Sequence, residues 1–124
     1  MRTLILSLLT LPLILAADFP AITLTDLKAA IAAKTVTVID VNGTESFTAA
    51  HVDGAMDYEA TGKDLASKLP ADKSALVVAY CGGPSCGAWK KAATAATALG
   101  YTNVKHFPDG ISGWKKAAEA PKVN

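Results

Sequence analysis

The run Leu76-Val-Val-Ala-Tyr80 and the cysteine that follows it constrain this chain more than any other stretch. Such a short, unbroken apolar run fits a strand covered on both faces, and Cys81 falls where that strand ends. Open α/β sheets gather their ligands at the carboxyl ends of strands, so the thiol is expected at a binding edge. Gly82, Gly83, Pro84, Ser85 and Gly87 carry little side-chain bulk. A loop of such residues can turn its amide N–H groups toward one point and form a concavity that holds anions. A helix expected from Cys86 or Gly87 to Leu99 adds its positive dipole end. These features favour a thiolate or persulfide at Cys81, nucleophilic near neutral pH. The plainer alternative is a small buried cysteine at a tight turn.

The first residues read differently from the rest. Met1-Arg-Thr is a basic start, Leu4 to Leu15 is apolar apart from Ser7, Thr10 and Pro12, and Ala16-Ala17 precede Asp18. This is the pattern of a secretory signal peptide, and the apolar run is too short for a comfortable transmembrane span. Residues 1–17 are expected to be removed, leaving residues 18–124 as one domain, periplasmic or secreted and free of the membrane. One of the 12 basic residues is Arg2, so lysines alone then balance the 11 acidic residues. A neutral domain without a basic run gives no reason to expect nucleic acid or an anionic membrane as partner. With no arginine left for a planar bidentate clamp, an anion must be held by backbone amides or by lysines, of which Lys90 and Lys91 are nearest the thiols. Export would carry Cys81 and Cys86, the whole thiol inventory, into an oxidising space. They lie too close in sequence to staple a fold.

Strand and helix signals alternate along the remainder. Ile22-Thr-Leu reads as a brief strand, and Thr25 as the cap of a helix through about Ala33, with Leu27, Ala30 and Ile31 inward. Thr35 to Val41 is a β-branched strand ending in Asp40, before the Asn42-Gly43 turn. Thr44 to Ala50 reads as a short helix and Ala55 to Tyr58 as a further strand. Thr61-Gly-Lys-Asp64 resembles a capping box before Leu65 and Leu69, with Pro70 as the stop. In the helix after the thiol loop, Trp89, Ala92, Ala93, Ala96 and Leu99 are expected inward, with Gly100 at the end. Val104 to Phe107 predicts the last strand, Pro108-Asp-Gly110 a turn, and Ile111 to Ala118 a final helix. Such alternation implies a three-layer α/β domain with a mainly parallel central sheet flanked by helices.

Val38-Ile-Asp-Val41, then Ala50-His-Val-Asp-Gly-Ala55, then Val78-Ala-Tyr-Cys81 with Leu99-Gly-Tyr and Asp109-Gly-Ile-Ser-Gly-Trp114, are three signatures that in order and in register resemble the rhodanese family. Val38-Ile-Asp-Val41 is similar to its Asp-Val element, and Ala50-His-Val-Asp-Gly-Ala55 to its Gly-His-Ile-Pro-Gly-Ala element, departing at Ala50 and Asp53. Val78-Ala-Tyr-Cys81, Leu99-Gly-Tyr and Asp109-Gly-Ile-Ser-Gly-Trp114 resemble its active-site and carboxyl-terminal segments. The resemblance implies a sulfurtransferase in which Cys81 accepts a sulfane sulfur from a donor such as thiosulfate and passes it to a nucleophile. It also exposes a departure. The family's loop runs from cysteine over four residues to arginine and often serine, and here Cys86 and Gly87 occupy those two places. The related phosphatase branch ends a loop one residue longer in arginine, where this chain has Gly87.

The other candidates each have a plain reading. Asp40 either orients the thiol loop or satisfies N–H groups of the Asn42-Gly43 turn. His51 is expected to make a fold-supporting hydrogen bond, and His106 to be packed or partly exposed. Trp89 and Trp114 read as packing residues, with Trp89 near the mouth of the loop. No cofactor and no metal are expected, because the cysteine spacing fits no common zinc pattern. Three functions remain open: sulfur transfer through a Cys81 persulfide with Cys86 as resolving thiol, a thiol–disulfide protein using the Cys81/Cys86 pair, and a rhodanese-like module that binds without turnover. The expected partners are a small sulfur donor and a thiol acceptor, a protein thiol included, for a protein working as a monomer.

Overall fold

The computed structural model describes residues 19–119, and the expected leader, residues 1–17, lies outside the described residues. Strands β1 (Val36–Asp40), β2 (Met56–Asp57), β3 (Leu76–Tyr80) and β4 (Val104–His106) form one sheet in the order β2-β1-β3-β4. All three pairings are parallel. Parallel neighbours need crossovers, and the chain supplies helices: α1 (Leu24–Ala33), α2 (Thr44–Ala49), α3 (Tyr58–Thr61), α4 (Leu65–Lys68), α5 (Lys90–Ala98) and α6 (Gly110–Glu119). Among the described residues, no helix is long and apolar enough to cross a membrane.

Strand β3 lies between β1 and β4, and its period of two sends side chains into two separate cores. Val77 and Ala79 join Ile39, Leu65, Leu69, Ala92, Ala93 and Ala96 on one face. Val78 and Tyr80 join Leu27, Val38, Val52 and Phe107 on the other. Both faces are covered, as the unbroken apolar run implied, and three layers result.

Several boundaries differ from the sequence expectation for local reasons. The Ile22-Thr-Leu strand is only a bridge at Ala21, with His106 N–H donating to Pro20 C=O at 2.9 Å and Ile22 N–H to His106 C=O at 2.8 Å. Thr23 and not Thr25 caps α1, its hydroxyl accepting the Asp26 N–H at 3.1 Å, so the chain turns helical before a strand can extend. Thr61 caps nothing. Asp57 caps α3 by accepting the Glu59 N–H at 3.0 Å, and Thr61 Oγ1 donates back to Asp57 C=O at 2.6 Å. Helix α5 starts at Lys90, after a turn in which Lys90 and Lys91 N–H groups donate to Gly87 and Ala88 carbonyls, both at 3.2 Å. Gly87 is a poor helix former, and Cys86 N–H is already committed to Gly83 C=O at 3.1 Å. Leu99 follows the last residue of α5 as its cap and is 36% exposed, not inward.

Candidate active site

Cys81 follows β3 directly and is 2% exposed. It is joined to Cys86 by a disulfide, with Cα atoms 6.2 Å apart, inside the range that such a bond requires. The turn between them is closed by the Cys86 to Gly83 hydrogen bond, which brings the far end of the loop back to the strand end.

A second element holds the near end of this loop. Ile111 N–H donates to Cys81 C=O at 2.9 Å and Ser112 N–H to Gly82 C=O at 3.0 Å. These are first-turn N–H groups of α6, which lack partners inside their own helix. The helix end bonded to the loop at Cys81 is therefore that of α6, whereas α5 begins four residues beyond Cys86. So close an approach has a steric condition. Gly110 sits at φ +61°, and a Cβ there would lie 2.6 Å from Cys81 O, Gly82 C and Gly83 N. Gly110 was not singled out in the sequence as a site residue. Its signal was present in the Asp109-Gly110 step before the final helix, but the reason for it is a tertiary contact.

With the carbonyls of Cys81 and Gly82 so engaged, the loop's donors remain available. Among the described residues, the N–H groups of Gly82, Gly83, Ser85 and Gly87 meet no acceptor. Asn42 is a further residue that sequence reasoning missed. Its side-chain oxygen lies 3.9 Å from where a Cβ of Gly82 would be, and its Nδ2 is buried without a partner among the described residues. An unpaired buried donor is costly unless something is there to accept from it.

Among the described residues Asp40 makes no hydrogen bond to either cysteine, and its carboxylate organises the strand ends beside them. It is fully buried, its Oδ1 accepts the Asn42 N–H at 2.8 Å, and its Oδ2 accepts from the Tyr80 hydroxyl. That hydroxyl in turn accepts the Val52 N–H at 2.9 Å. Burial above all, and then the Asp40 carboxylate, push the Tyr80 phenol far above its ordinary value, so it stays a donor. Asp40 thus satisfies the Asn42 turn, and it also pairs with the hydroxyl of Tyr80, the residue before Cys81.

His51 is exposed, with its ring stacked 3.9 Å from that of Phe47 and its Nδ1 donating to Phe47 C=O at 2.8 Å. It closes the end of α2. Among the described residues, no cluster of three potential ligands forms around it or elsewhere.

His106 is placed at the other rim of the loop. Its ring stacks on Trp89 at 4.1 Å with 5° between the planes, and its Nδ1 donates to Phe19 C=O at 3.0 Å. Together with Ser85, Cys86, Trp89, Lys90 and Pro108 it lines a cleft of about 270 Å³. A larger cleft of about 480 Å³ is lined by Lys28, Ile31, Asp53 and Trp114 and contains no thiol.

The fold that carries this loop has counterparts. A family model described as rhodanese-like domain matches residues 23–117. The chain belongs to the rhodanese-like domain family. This rhodanese-like domain is similar in structure to the human single-domain sulfurtransferase TSTD1, with a TM-score of 0.62, 19% identity, and coverage of 80% of this chain and 97% of that one. The single-domain sulfurtransferase RDL2 of Saccharomyces cerevisiae is similar at a TM-score of 0.64 and 14% identity, covering 83% and 94%. The BH2092 protein of Bacillus halodurans is similar at 0.63 and 25% identity, covering 80% and 73%. No curated protein matches the chain.

Proposed function

We infer that this rhodanese-like domain is an exported sulfur carrier that works through Cys81, with Cys86 as its resolving thiol. The observation that carries the reading is the placement of Cys81: at the end of a central strand, at the start of a loop whose amides meet no acceptor among the described residues, and bonded to a second cysteine. In the first step the Cys81 thiolate attacks the outer sulfur of thiosulfate or the terminal, protonated sulfur of a hydropolysulfide. A Cys81 persulfide forms, and sulfite or a shortened polysulfide leaves with the electron pair. The loop amides and the Asn42 amide are the donors on hand for the persulfide's negative charge. An acceptor thiolate then takes the outer sulfur and returns Cys81 to the thiolate. Where no acceptor arrives, Cys86 attacks the inner sulfur, the Cys81–Cys86 disulfide forms, and hydrosulfide departs.

The sulfurtransferase names of the human and yeast neighbours support the general chemistry. Mass spectrometry of the reduced protein after thiosulfate or polysulfide treatment tests it. A gain of one sulfur atom on Cys81, reversed by reductant and absent from Cys81→Ser, is expected. A Cys81→Ser protein that still gains sulfur would sink the assignment. Export is tested by amino-terminal sequencing of the extracytoplasmic protein, which should begin near Ala17 or Asp18.

The disulfide favours a second reading, a thiol–disulfide protein that exchanges electrons and no sulfur. Redox titration together with failure of Cys81 to gain sulfur from either donor would select it.

A further inference from the structure

The two sulfurs of the disulfide differ in access. Cys81 is 2% exposed, while Cys86 is half-buried and forms part of the wall of the cleft shared with Trp89, Lys90 and His106. Thiol–disulfide exchange is attack by a thiolate on one sulfur with departure of the other, so access decides which sulfur is struck. A thiol entering the cleft meets Cys86. The departing sulfur is then Cys81, whose loop offers the unpaired amides described above.

The cleft also holds a group suited to take a proton. The Phe19 carbonyl can only accept, so the His106 Nδ1 beside it carries the hydrogen. In the neutral ring the lone pair then belongs to Nε2, and the stack on Trp89 fixes the ring plane. Lys90 is the cation of the cleft wall, and no carboxylate lines it among the described residues.

We propose that this cleft admits a small anionic thiol, which opens the disulfide at Cys86 with His106 as its base. The thiol's proton passes to His106 Nε2 as its sulfur bonds to Cys86 Sγ. The Cys81–Cys86 bond breaks, and its electron pair leaves on Cys81 as a thiolate. One thiol thereby frees Cys81 for sulfur while Cys86 stays capped as a mixed disulfide. A second thiol removes the cap as a small-molecule disulfide and leaves both cysteines reduced. The proposal rests on the sulfur-carrier reading only for the use made of the freed Cys81. Opening needs no sulfane sulfur, so either can fail alone.

The test treats air-oxidised protein with limiting 2-mercaptoethanesulfonate, quenches in acid, blocks the freed thiol with N-ethylmaleimide and locates both groups by fragmentation between positions 81 and 86. The mercaptoethanesulfonate cap should sit on Cys86 and the block on Cys81. A cap on Cys81, an even distribution, or two free thiols in protein kept under air would overturn it. His106→Gln should slow opening by this thiol about tenfold at pH 7, since an ordinary thiol is already a few per cent thiolate there and a base can gain little more. Opening by a phosphine, which has no proton to lose, should be unchanged. His106→Phe, which keeps a ring against Trp89, should show the same thiol-only loss. Equal slowing with thiol and phosphine in both variants would reduce His106 to packing. Mercaptoethanesulfonate should outpace cationic cysteamine, and Lys90→Gln should narrow that gap. Faster opening by cysteamine would refute the anionic preference.

Discussion

The two ends of the thiol loop are built on different terms. At Cys81 the chain leaves a central strand, and the first N–H groups of α6 grip the carbonyls of Cys81 and Gly82. No Cβ fits at Gly110, on the other side of the contact. At Cys86, among the described residues, one turn hydrogen bond and the disulfide are the ties, Gly87 has nothing within 4 Å of where its Cβ would be, and the regular helix waits until Lys90. In the proposed carrier, the sulfur that takes up sulfane sulfur sits at the rigid end, and the proposed resolving sulfur sits at the permissive end. Disulfide formation and opening can then proceed by moving the Cys86 side while the Cys81 side keeps its donors in place.

The largest effect is expected where the rigid end is packed most closely. Gly110→Ala puts a methyl group 2.6 Å from three backbone atoms at a positive φ, and neither the strand end nor α6 is free to retreat. A loss of about 3 kcal/mol or more in denaturant unfolding is expected, with slowed sulfur loading of whatever folds. A loss below about 1 kcal/mol would mean that α6 yields easily and that the two ends do not differ as described.

Tyr80→Phe probes the same end from beneath. It leaves the buried Asp40 Oδ2 and the Val52 N–H without their shared partner, which should cost about 1 to 3 kcal/mol. The sign of the pH dependence follows from the raised phenol. Folded Tyr80 holds its proton above the ordinary value near 10, so its contribution is complete below that pH. It declines as the pH climbs past it, because the unfolded chain releases the proton first. Wild type should therefore lose stability more steeply than Tyr80→Phe above about pH 10. Parallel alkaline curves for the two proteins would show that the phenol does not carry the effect.

What could be read in the sequence divides along the same line. β1 and β3 were legible because β-branched and apolar runs buried on both faces leave one outcome, and the thiol was legible because it terminates such a run. The clamp was not, because Gly110 meets Cys81 from far along the chain and nothing in its neighbourhood tells a turn glycine from one under a carbonyl. Asn42 escaped for a related reason: a turn residue becomes a buried donor only when the neighbouring strand's loop folds over it. The start of α5 was misread because alanine-rich periodicity extends smoothly back to Cys86, whereas the disulfide and the Gly83 carbonyl commit that residue to a turn. Thr23 and Thr25 offer the same hydroxyl two residues apart, and the bridge to His106 decides between them.

Cys86→Arg restores the side chain that the family's loop carries at this position. A guanidinium adds a charge-assisted donor for a dianion, worth roughly 1.5 to 3 kcal/mol, or ten- to a hundredfold in binding. Thiosulfate-to-cyanide turnover, expected to be weak in the wild type, should rise by about tenfold or more. The permissive end is what makes room for the longer side chain. No gain in a variant shown to be folded would mean that arginine is not the missing element.

The smallest effect belongs to Gly87→Ala. The added methyl meets nothing within 4 Å, and the residue is not held in the left-handed region. Alanine narrows the unfolded ensemble and favours helical backbone, and Gly87 C=O already accepts from Lys90 N–H just before α5. Stability should stay level or rise by up to about 1 kcal/mol, opposite in sign to the same exchange at Gly110. Since the substitution also stiffens the side that must move, the disulfide should open more slowly even as the fold gains. Stopped-flow reduction beside equilibrium unfolding reads both. A destabilisation above 1 kcal/mol would show that the Cys86 end is constrained as tightly as the Cys81 end. A stabilised variant whose disulfide opens at the wild-type rate would show that the motion required at Cys86 is confined to its side chain.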